Sequence, residues 1–257
     1  MSPKIIAFGN QKGGVGKTSI TVAVAESLAY RGMKVLVLDL DQQGSATIVL
    51  GASVTAETLT MYDVLKANTP GCIDDGIMET AWENISIVPA DETLAALAEE
   101  SLIAAEQRLK TAFIDSEKIE EYDYVLMDLP PSLGRLTLNG LVAAEQVFAV
   151  TAPAALSVQG LTHFENTINE IKRIRLNPEL QFSGVIINLA DTRKGEDRFQ
   201  IDQINENWDN VLSPVVLSRA AVADMASTHL PIRKTGSSSA KEAQSLIDAL
   251  TDSIIGA

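Results

Sequence analysis

Short apolar runs alternate with longer helical patterns along almost the whole chain. The apolar runs have the length and continuous hydrophobicity of strands that are buried on both faces. They are Ile5–Phe8, Val35–Leu38, Ile85–Val88, Tyr124–Met127, Val147–Val150, Val185–Ile187 and Val215–Leu217. Helical stretches include Thr18–Tyr30, Thr93–Phe113, Leu136–Ala144, Leu161–Leu176, Phe199–Trp208 and Ala240–Ile255. This alternation, without a repeat or a long linker, predicts one α/β domain over residues 1–257, a mostly parallel twisted sheet with helices on both faces.

A glycine-rich segment joins the first predicted strand to the first predicted helix. Its sequence is Lys12-Gly13-Gly14-Val15-Gly16-Lys17-Thr18. Glycines let successive backbone N–H groups converge on phosphate oxygens, and a helix N-terminus adds about half a positive charge. The pattern predicts that Lys17 lies along the β- and γ-phosphates of a nucleotide and that the Thr18 hydroxyl ligates Mg²⁺.

The start of this loop departs from the common phosphate-binding pattern, which has glycine where this chain has Gln11. A second lysine, Lys12, follows instead. The loop resembles the deviant Walker A motif of the ParA/MinD branch of P-loop NTPases. That resemblance implies that Lys12 reaches across a dimer interface to the nucleotide of the partner subunit. The alternative, a glycine-rich turn with two incidental lysines, is disfavoured by the strand before the loop and the helix after it.

Composition narrows the class of protein. Hydrophobic residues make up 46% of the 257 residues and charged residues 21%, as in soluble globular domains. No apolar stretch approaches 18 residues, and the chain starts directly in a predicted strand, so we expect neither a membrane span nor a signal peptide. Cys72 is the single cysteine, which predicts a cytoplasmic protein without disulfides. One cysteine with His163 and His229 excludes a conventional zinc site and disfavours an iron–sulfur reductase.

Charge is distributed unevenly along the chain. The formal net charge is −14, which argues against nucleic acid as a partner. The stretch from Lys172 to Lys241 nevertheless holds ten basic and eight acidic residues. A local basic face on an acidic protein is therefore possible.

Carboxylates follow two of the predicted strands. Asp39 and Asp41 come at the end of one strand, where alternation would put both on the same side if the strand continues, and Asp128 ends another. An Asp in that position can hold Mg²⁺, usually through water. A hydrophobic run that ends in Asp is weak evidence for a metal site on its own. Together with Lys17 and Thr18, it indicates a magnesium–nucleotide site.

These residues carry a close resemblance to ParA-type partition ATPases that runs over nearly the whole chain. Asp39–Thr47 resembles the family segment Asp-x-Asp-Pro-Gln-Gly-Asn-Ala-Thr, with Gln42 in place of proline. Asp128–Gly134 resembles the family's switch II, Asp-x-Pro-Pro-Ser-Leu-Gly, and Ser157–Leu161 resembles a later segment that ends in Gly-Leu. The chain is identified as a member of the short form, without an N-terminal helix-turn-helix.

The resemblance implies a role for each matching residue. The cofactors are ATP and Mg²⁺, and the nucleotide-binding residues are Gly13, Gly14, Val15, Gly16, Lys17, Thr18 and Ser19, with Asn188 at the adenine. The catalytic residues are Lys12 acting in trans, Lys17, and Asp41, which positions the attacking water. The metal-site residues are Thr18, Asp41 and Asp128.

One departure from the family concerns DNA. Ala221 stands where DNA-binding members often carry arginine, and Arg219 is nearby. Other basic residues that could compensate are Lys172, Arg173, Arg175, Arg193, Lys194, Arg198, Arg233 and Lys234. They could equally be scattered, solvated charges.

The leading hypothesis is an ATPase that partitions or positions DNA. An ATP-bound homodimer would bind DNA nonspecifically on the nucleoid, and a ParB-like protein would stimulate hydrolysis. A MinD-like ATPase is the second reading, but Glu242, Asp248 and Asp252 on the last helix would repel an anionic bilayer, so we expect core packing and no membrane partner. A positioning ATPase for a protein cargo stays open, and a metabolic ligase of the dethiobiotin-synthetase type is a third alternative.

Overall fold

A seven-stranded sheet forms the centre of the computed structural model, which describes residues 2–98, 100–216, 225 and 228–257. The strands are β1 (Lys4–Gly9), β2 (Val35–Asp39), β3 (Met78–Glu79), β4 (Ile85–Val88), β5 (Tyr124–Asp128), β6 (Gln146–Thr151) and β7 (Gln181–Ile187). The helices are α1 (Lys17–Tyr30), α2 (Ser45–Val49), α3 (Met61–Ala67), α4 (Ile73–Gly76), α5 (Arg108–Phe113), α6 (Arg135–Ala143), α7 (Ser157–Arg173), α8 (Gly195–Asn207) and α9 (Ser238–Ile255). Short 3₁₀ turns cover Glu92–Ala98, Ile119–Glu121 and Ile232–Lys234.

The strand order is β3-β4-β2-β5-β1-β6-β7, and every pair is parallel except β3 with β4. The predicted α/β class with a mostly parallel sheet is confirmed. Because β2, β5 and β1 are neighbours, their carboxyl ends meet in the middle of one sheet edge. The loops that follow these three strands therefore converge there.

Two apolar layers cover the sheet and explain why its central strands are continuously hydrophobic. On one face, Ile20 and Val24 of α1 pack with Ile247 and Leu250 of α9. The other face is covered by α3, α5, α6 and α7, whose buried side chains include Phe164. β2 and β5 are buried along their whole length. A strand with both faces covered has no polar side to alternate with.

The apolar stripe of α9 belongs to this core. Ile247, Leu250 and Ile254 are each at most 2% exposed. The expectation of core packing for the last helix is thus confirmed. Among the described residues, no helix is both long enough and apolar enough to cross a bilayer.

The single long helix predicted over Thr93–Phe113 is wrong. A 3₁₀ turn ends at Ala98, and α5 begins only at Arg108. Backbone groups in the interruption and in the first turn of α5 find side-chain partners. The Asn139 side chain accepts from the Leu109 N–H and donates to the Ala105 carbonyl. The apolar spacing was read correctly, since Leu94 and Leu109 are both buried, but two segments supply it.

Two smaller differences concern strands. Val215 and Val216 lie outside any strand, and Leu217 falls outside the described residues. Val216 still follows β7, because its N–H donates to the Ile187 carbonyl and its carbonyl accepts from Ala190. β3 was not predicted, since its two residues carry no recognisable pattern.

A polar cluster joins α1 to the segment before α9. The Arg233 backbone N–H donates to Glu26 at 3.1 Å, and the Arg233 guanidinium pairs with Asp248 and lies 3.8 Å from Glu26. The same guanidinium lies 3.9 Å from the centre of the Tyr30 ring. Burial raises the pKa of Glu26, and the Arg233 backbone N–H and guanidinium oppose that rise. Arg233 therefore compensates a carboxylate that the core would otherwise leave unpaired.

We expect Arg233→Met to lower the free energy of unfolding by about 3 kcal/mol, because it leaves the buried Glu26 carboxylate without a cation. The matched control is Arg31→Met, which removes a more exposed pair with Asp252 and should cost about 1 kcal/mol or less. Urea denaturation of both variants measures the difference. Equal losses in the two variants would contradict this explanation.

Candidate functional site

The loop between β1 and α1 has the backbone that its glycines require. Gly14 and Gly16 lie at φ +72° and +82°, in the left-handed region that favours glycine. α1 begins directly after Gly16, and no side chain caps its N-terminus. The N–H groups of its first turn are therefore available to an anion from outside the helix.

Two buried asparagines hold this loop from behind. Asn10 donates to the Val150 carbonyl at 2.8 Å and accepts from the Lys12 N–H at 3.1 Å. Asn188 donates to the Val15 carbonyl at 2.9 Å. A Cβ at Gly16 would lie 2.3 Å from the Asn188 amide nitrogen, so the loop and this asparagine fit only if residue 16 is glycine. Asn10 was missed in the sequence, where a polar residue directly after a buried strand was the available signal.

The predicted residues Lys17, Thr18 and Asp128 come together at the carboxyl edge of the sheet. The Thr18 hydroxyl donates to Asp128 Oδ2 at 2.6 Å, although 110 residues separate them. The other oxygen, Asp128 Oδ1, is buried and has no hydrogen-bond partner in the described part of the chain. Lys17 is largely buried. Burial lowers its pKa, while the charges of Asp128 and Asp41 raise it.

Asp39 and Asp41 have different surroundings, because β2 ends at Asp39 and the chain then turns. The strand alternation that would put both side chains on one side therefore does not extend to Asp41. Asp39 is fully buried and accepts from Thr47 N, Thr47 Oγ1 and Asp41 N at 2.9, 2.8 and 3.1 Å. Asp41 is half-exposed, and its Oδ1 accepts from the Gln43 N–H at 3.0 Å.

Two buried carboxylates thus lie on adjacent strands, since Asp39 is the register partner of Asp128. Burial raises the pKa of Asp128, the charge of Asp39 raises it further, and Thr18 and Lys17 act in the opposite direction. Burial likewise raises the pKa of Asp39. A cation beside Asp128 would stabilise its ionised form.

The oxygen donors at this point fit Mg²⁺. The orphaned Asp128 oxygen and the Thr18 hydroxyl are hard ligands of the kind that Mg²⁺ binds. In the described ranges, no group of three or more His, Cys, Asp or Glu is arranged to hold a metal ion. That is expected for Mg²⁺ at a nucleotide, where phosphates and waters complete the octahedron around one or two protein ligands.

A cavity of about 320 Å³ opens over the loop. Its walls are Gly14, Gly16, Lys17, Thr18, Ser19, Asp41, Ser45, Val49, Pro131 and Met225. Cavities of about 590 and 390 Å³ lie around Trp82–Ile85, at the amino ends of the strands. The cavity of about 320 Å³ is the candidate site. Of these three cavities, it is the one lined by the glycine loop, Lys17 and Asp41.

Five of the predicted site residues do not line this cavity: Lys12, Gly13, Val15, Asp128 and Asn188. The Lys12 ammonium donates to the Ala155 carbonyl at 3.4 Å, at the rim of the loop. Asn188 lies beneath the loop, and its contact with adenine stays a prediction, as does the role of each other site residue.

Comparison with known proteins identifies the relatives of this chain. The AAA_31 family model, described as an AAA domain, matches residues 3–182. The chain is 35% identical over 228 residues to the sporulation initiation inhibitor protein Soj of Bacillus subtilis, covering 88% of each protein. It is 32% identical over 232 residues to the chromosome partitioning protein ParA of Caulobacter vibrioides, covering 89% of this chain and 86% of that protein.

A solved structure is similar over nearly the full length. The cobyrinic acid a,c-diamide synthase of Mycobacterium smegmatis, crystallised with ADP and magnesium, superposes with a TM-score of 0.80. The identity is 26%, and the match covers 98% of this chain and 94% of the synthase.

We expect Asn188→Ala to weaken the binding of ADP and of GDP by a similar factor of about ten, because the lost hydrogen bond supports the loop rather than a base. Isothermal titration with both nucleotides measures the two factors. Asn177→Ala is the control, since Asn177 is a buried asparagine whose amide caps α6 away from the loop. A loss confined to ADP would instead indicate contact with adenine.

Proposed function

Because this chain belongs to the ParA/Soj family of chromosome-partitioning ATPases, we propose that it hydrolyses ATP and uses the cycle to partition or position DNA. The observation that carries the proposal is the hydrogen bond between Thr18 and Asp128 beneath the glycine loop. It joins Asp128, a buried carboxylate with one vacant oxygen, to a hydroxyl on the wall of the cavity, which Lys17 also lines. Those are the groups that a magnesium–triphosphate needs.

The chemistry required of this site is mainly positioning and charge stabilisation. The N–H groups of the loop and of the first turn of α1 would bind the phosphates, and Lys17 would neutralise charge on the transferred phosphoryl group. Thr18 and Asp128 would hold Mg²⁺, with Asp41 nearby; the ion supplies positive charge to the phosphate oxygens. Asp41 would orient the attacking water, since it lines the cavity and its charge acts on Lys17.

The proposed dimer rests on the position of Lys12. Its ammonium lies at the rim of the loop, on the Ala155 carbonyl, and not against its own cavity. The next residue, Leu156, is 72% exposed and has a left-handed backbone, φ +67°. An exposed leucine in an energetically costly conformation is a feature of interaction surfaces. It supports the proposal that a second subunit covers this part of the surface. There Lys12 would exchange a carbonyl for the phosphates of the partner's ATP.

We expect the Asp41→Ala protein to form a stable dimer with ATP and Mg²⁺, because the variant no longer hydrolyses the ATP and the dimer therefore does not dissociate. Adding Lys12→Ala to that variant should return it to a monomer, whereas adding Lys110→Ala, an exposed lysine on α5, should not. Sedimentation velocity with ATP and Mg²⁺ measures the oligomeric state of the three proteins. A persistent monomer of Asp41→Ala would rule out the nucleotide-bridged dimer.

The proposed DNA contact uses exposed cations of α7 and α8, two helices that pack together. Lys172, in the last turn of α7, and Lys194, the residue before α8, are exposed. Arg173 and Arg193 pair with neighbouring carboxylates, which reduces what they can offer a phosphate. Arg233 cannot serve, because its side chain is 13% exposed and bound to Glu26 and Asp248. Arg219 and Ala221 lie outside the described residues.

We expect the ATP-bound protein to bind duplex DNA without sequence preference, with log affinity falling linearly against log salt. Each phosphate contact contributes about −0.9 to that slope. The double variant Lys172→Ala/Lys194→Ala should lessen the slope by about 1.8, and Lys34→Ala, which removes an exposed lysine just before β2, should leave it unchanged. Fluorescence anisotropy over a salt series measures this. If no duplex binds at low salt, the DNA half of the proposal fails.

A ParB-like protein would stimulate hydrolysis and release the dimer. The protein encoded beside this one is the first to assay, because the cargo of such an ATPase is chosen by its partner. A MinD-like or protein-positioning ATPase is the alternative within the same chemistry. Vesicle co-sedimentation tests the MinD-like alternative, which requires binding to a membrane. The apolar stripe of α9 is buried in the core and is not exposed for such binding.

A metabolic ATP-dependent synthase is the second candidate, and its support is the 26% identity to the cobyrinic acid a,c-diamide synthase. The partition relatives are more similar in sequence, at 35% and 32% identity. ATP turnover that rises with a carboxylate and an amine donor, and not with DNA and a partner protein, would favour the synthase.

A further inference from the structure

Asp39 is one of two fully buried carboxylates beside the candidate site, and it has no role in the proposed chemistry. It is fully buried at the end of β2 and is not among the residues that line the loop cavity. Unlike Asp128, it has no oxygen without a hydrogen-bond partner, so it offers no ligand to a magnesium–nucleotide held there. Whatever it contributes to turnover must act through another residue.

The contacts of Asp39 lead to Asp41. One oxygen, Oδ1, accepts from the Asp41 backbone N–H at 3.1 Å. The other, Oδ2, accepts from both the backbone N–H and the hydroxyl of Thr47, at 2.9 and 2.8 Å. A single side chain thus closes the loop from 39 to 47 at both of its ends.

The tether extends to the next strand. Thr47 Oγ1 also accepts from the Ala90 N–H at 3.0 Å, just beyond the end of β4. Gly44 packs so closely that a Cβ there would lie 2.8 Å from the Ala90 carbonyl oxygen. The Gly44 N–H donates to the Asp41 carbonyl at 2.8 Å. The loop that carries Asp41 is therefore fixed to two strands of the sheet.

The geometry requires a carboxylate at position 39. Three N–H or O–H donors point at its two oxygens, and an asparagine has only one acceptor atom. If the amide oxygen faced Thr47, the amide NH₂ would face the Asp41 N–H, donor against donor. Burying this charge next to Asp128 costs free energy, which the three hydrogen bonds offset.

We propose that Asp39 is a positioning residue that holds Asp41 in the orientation that directs its carboxylate into the loop cavity. The inference rests on the proposed ATPase function for its effect on turnover. Its effect on the backbone of the 39–47 loop can be measured without any ATP hydrolysis.

The first test is a double-mutant cycle of Asp39→Asn with Asp41→Ala, read as kcat and as the Kd of ADP. Asp39→Asn alone should lower kcat about tenfold, the worth of one hydrogen bond to a charged group, and change the Kd by less than about twofold. In the Asp41→Ala background it should change the residual kcat by less than about twofold, because the residue it positions is already gone. Equal losses of kcat in both backgrounds, or a matching loss of ADP affinity, would overturn the proposal.

Thr47 supplies the matched pair of variants. Thr47→Ser keeps the hydroxyl and should keep kcat, whereas the isosteric Thr47→Val loses both the donor to Asp39 and the acceptor for Ala90 and should lower it. This pair also serves if Asp39→Asn does not fold. Equal kcat values for the two variants would count against the tether.

The second test is hydrogen exchange of the protein without nucleotide. Asp39→Asn should speed exchange of the Asp41 and Thr47 amides about tenfold and leave the amides of residues 10–18 unchanged. Unchanged exchange at Asp41 and Thr47 would overturn the proposal. Faster exchange in a protein that shows no ATP hydrolysis would support the tether and reject the proposed function.

Discussion

The meeting of two buried carboxylates with a glycine loop at one edge of a parallel sheet is the constraint on which the structure of this site depends. Asp39 and Asp128 lie side by side because β2 and β5 are neighbours in exact register. Each costs free energy to bury, and each is stabilised differently: Asp39 by three hydrogen bonds, Asp128 by Thr18 and the charge of Lys17. One carboxylate is thus fully satisfied within the chain, and the other keeps an oxygen for a cation. This difference separates a positioning group from a ligand.

Much of the fold was predictable because buried parallel strands leave an unmistakable pattern. Six of the seven predicted strands are present, and the loop before α1 has the geometry that its glycines indicated. The helix predicted from Thr93 to Phe113 is wrong because periodic leucines indicate only that their side chains face a core. They do not indicate whether the leucines belong to one helix or to two separate segments. Buried polar partners such as Asn139, which satisfy the broken backbone, come from distant sequence.

Individual residues of the site were predictable from the sequence, but the hydrogen bonds that hold them in place were not. Lys17, Thr18 and Asp128 were identified from local patterns, and the structure brings them together. The support of the loop by Asn10 and Asn188, and the contacts of Asp39 with Thr47, depend on which strands are neighbours. No local pattern contains that information. The same limit applies to Arg233, which looks like a surface cation in the sequence but lies inside an ion-pair cluster in the fold.

Gly16 and Asn188 lie 172 residues apart and yet share one small volume, since a methyl group on the first would collide with the amide of the second. Neither position can change freely while the other stays the same. A larger residue at 16 would need a shorter one at 188, which removes the hydrogen bond to Val15, and it would still lie at φ +82°, where side chains are strained. A compensating replacement at 188 therefore does not release position 16, and this corner of the molecule should resist mutational drift.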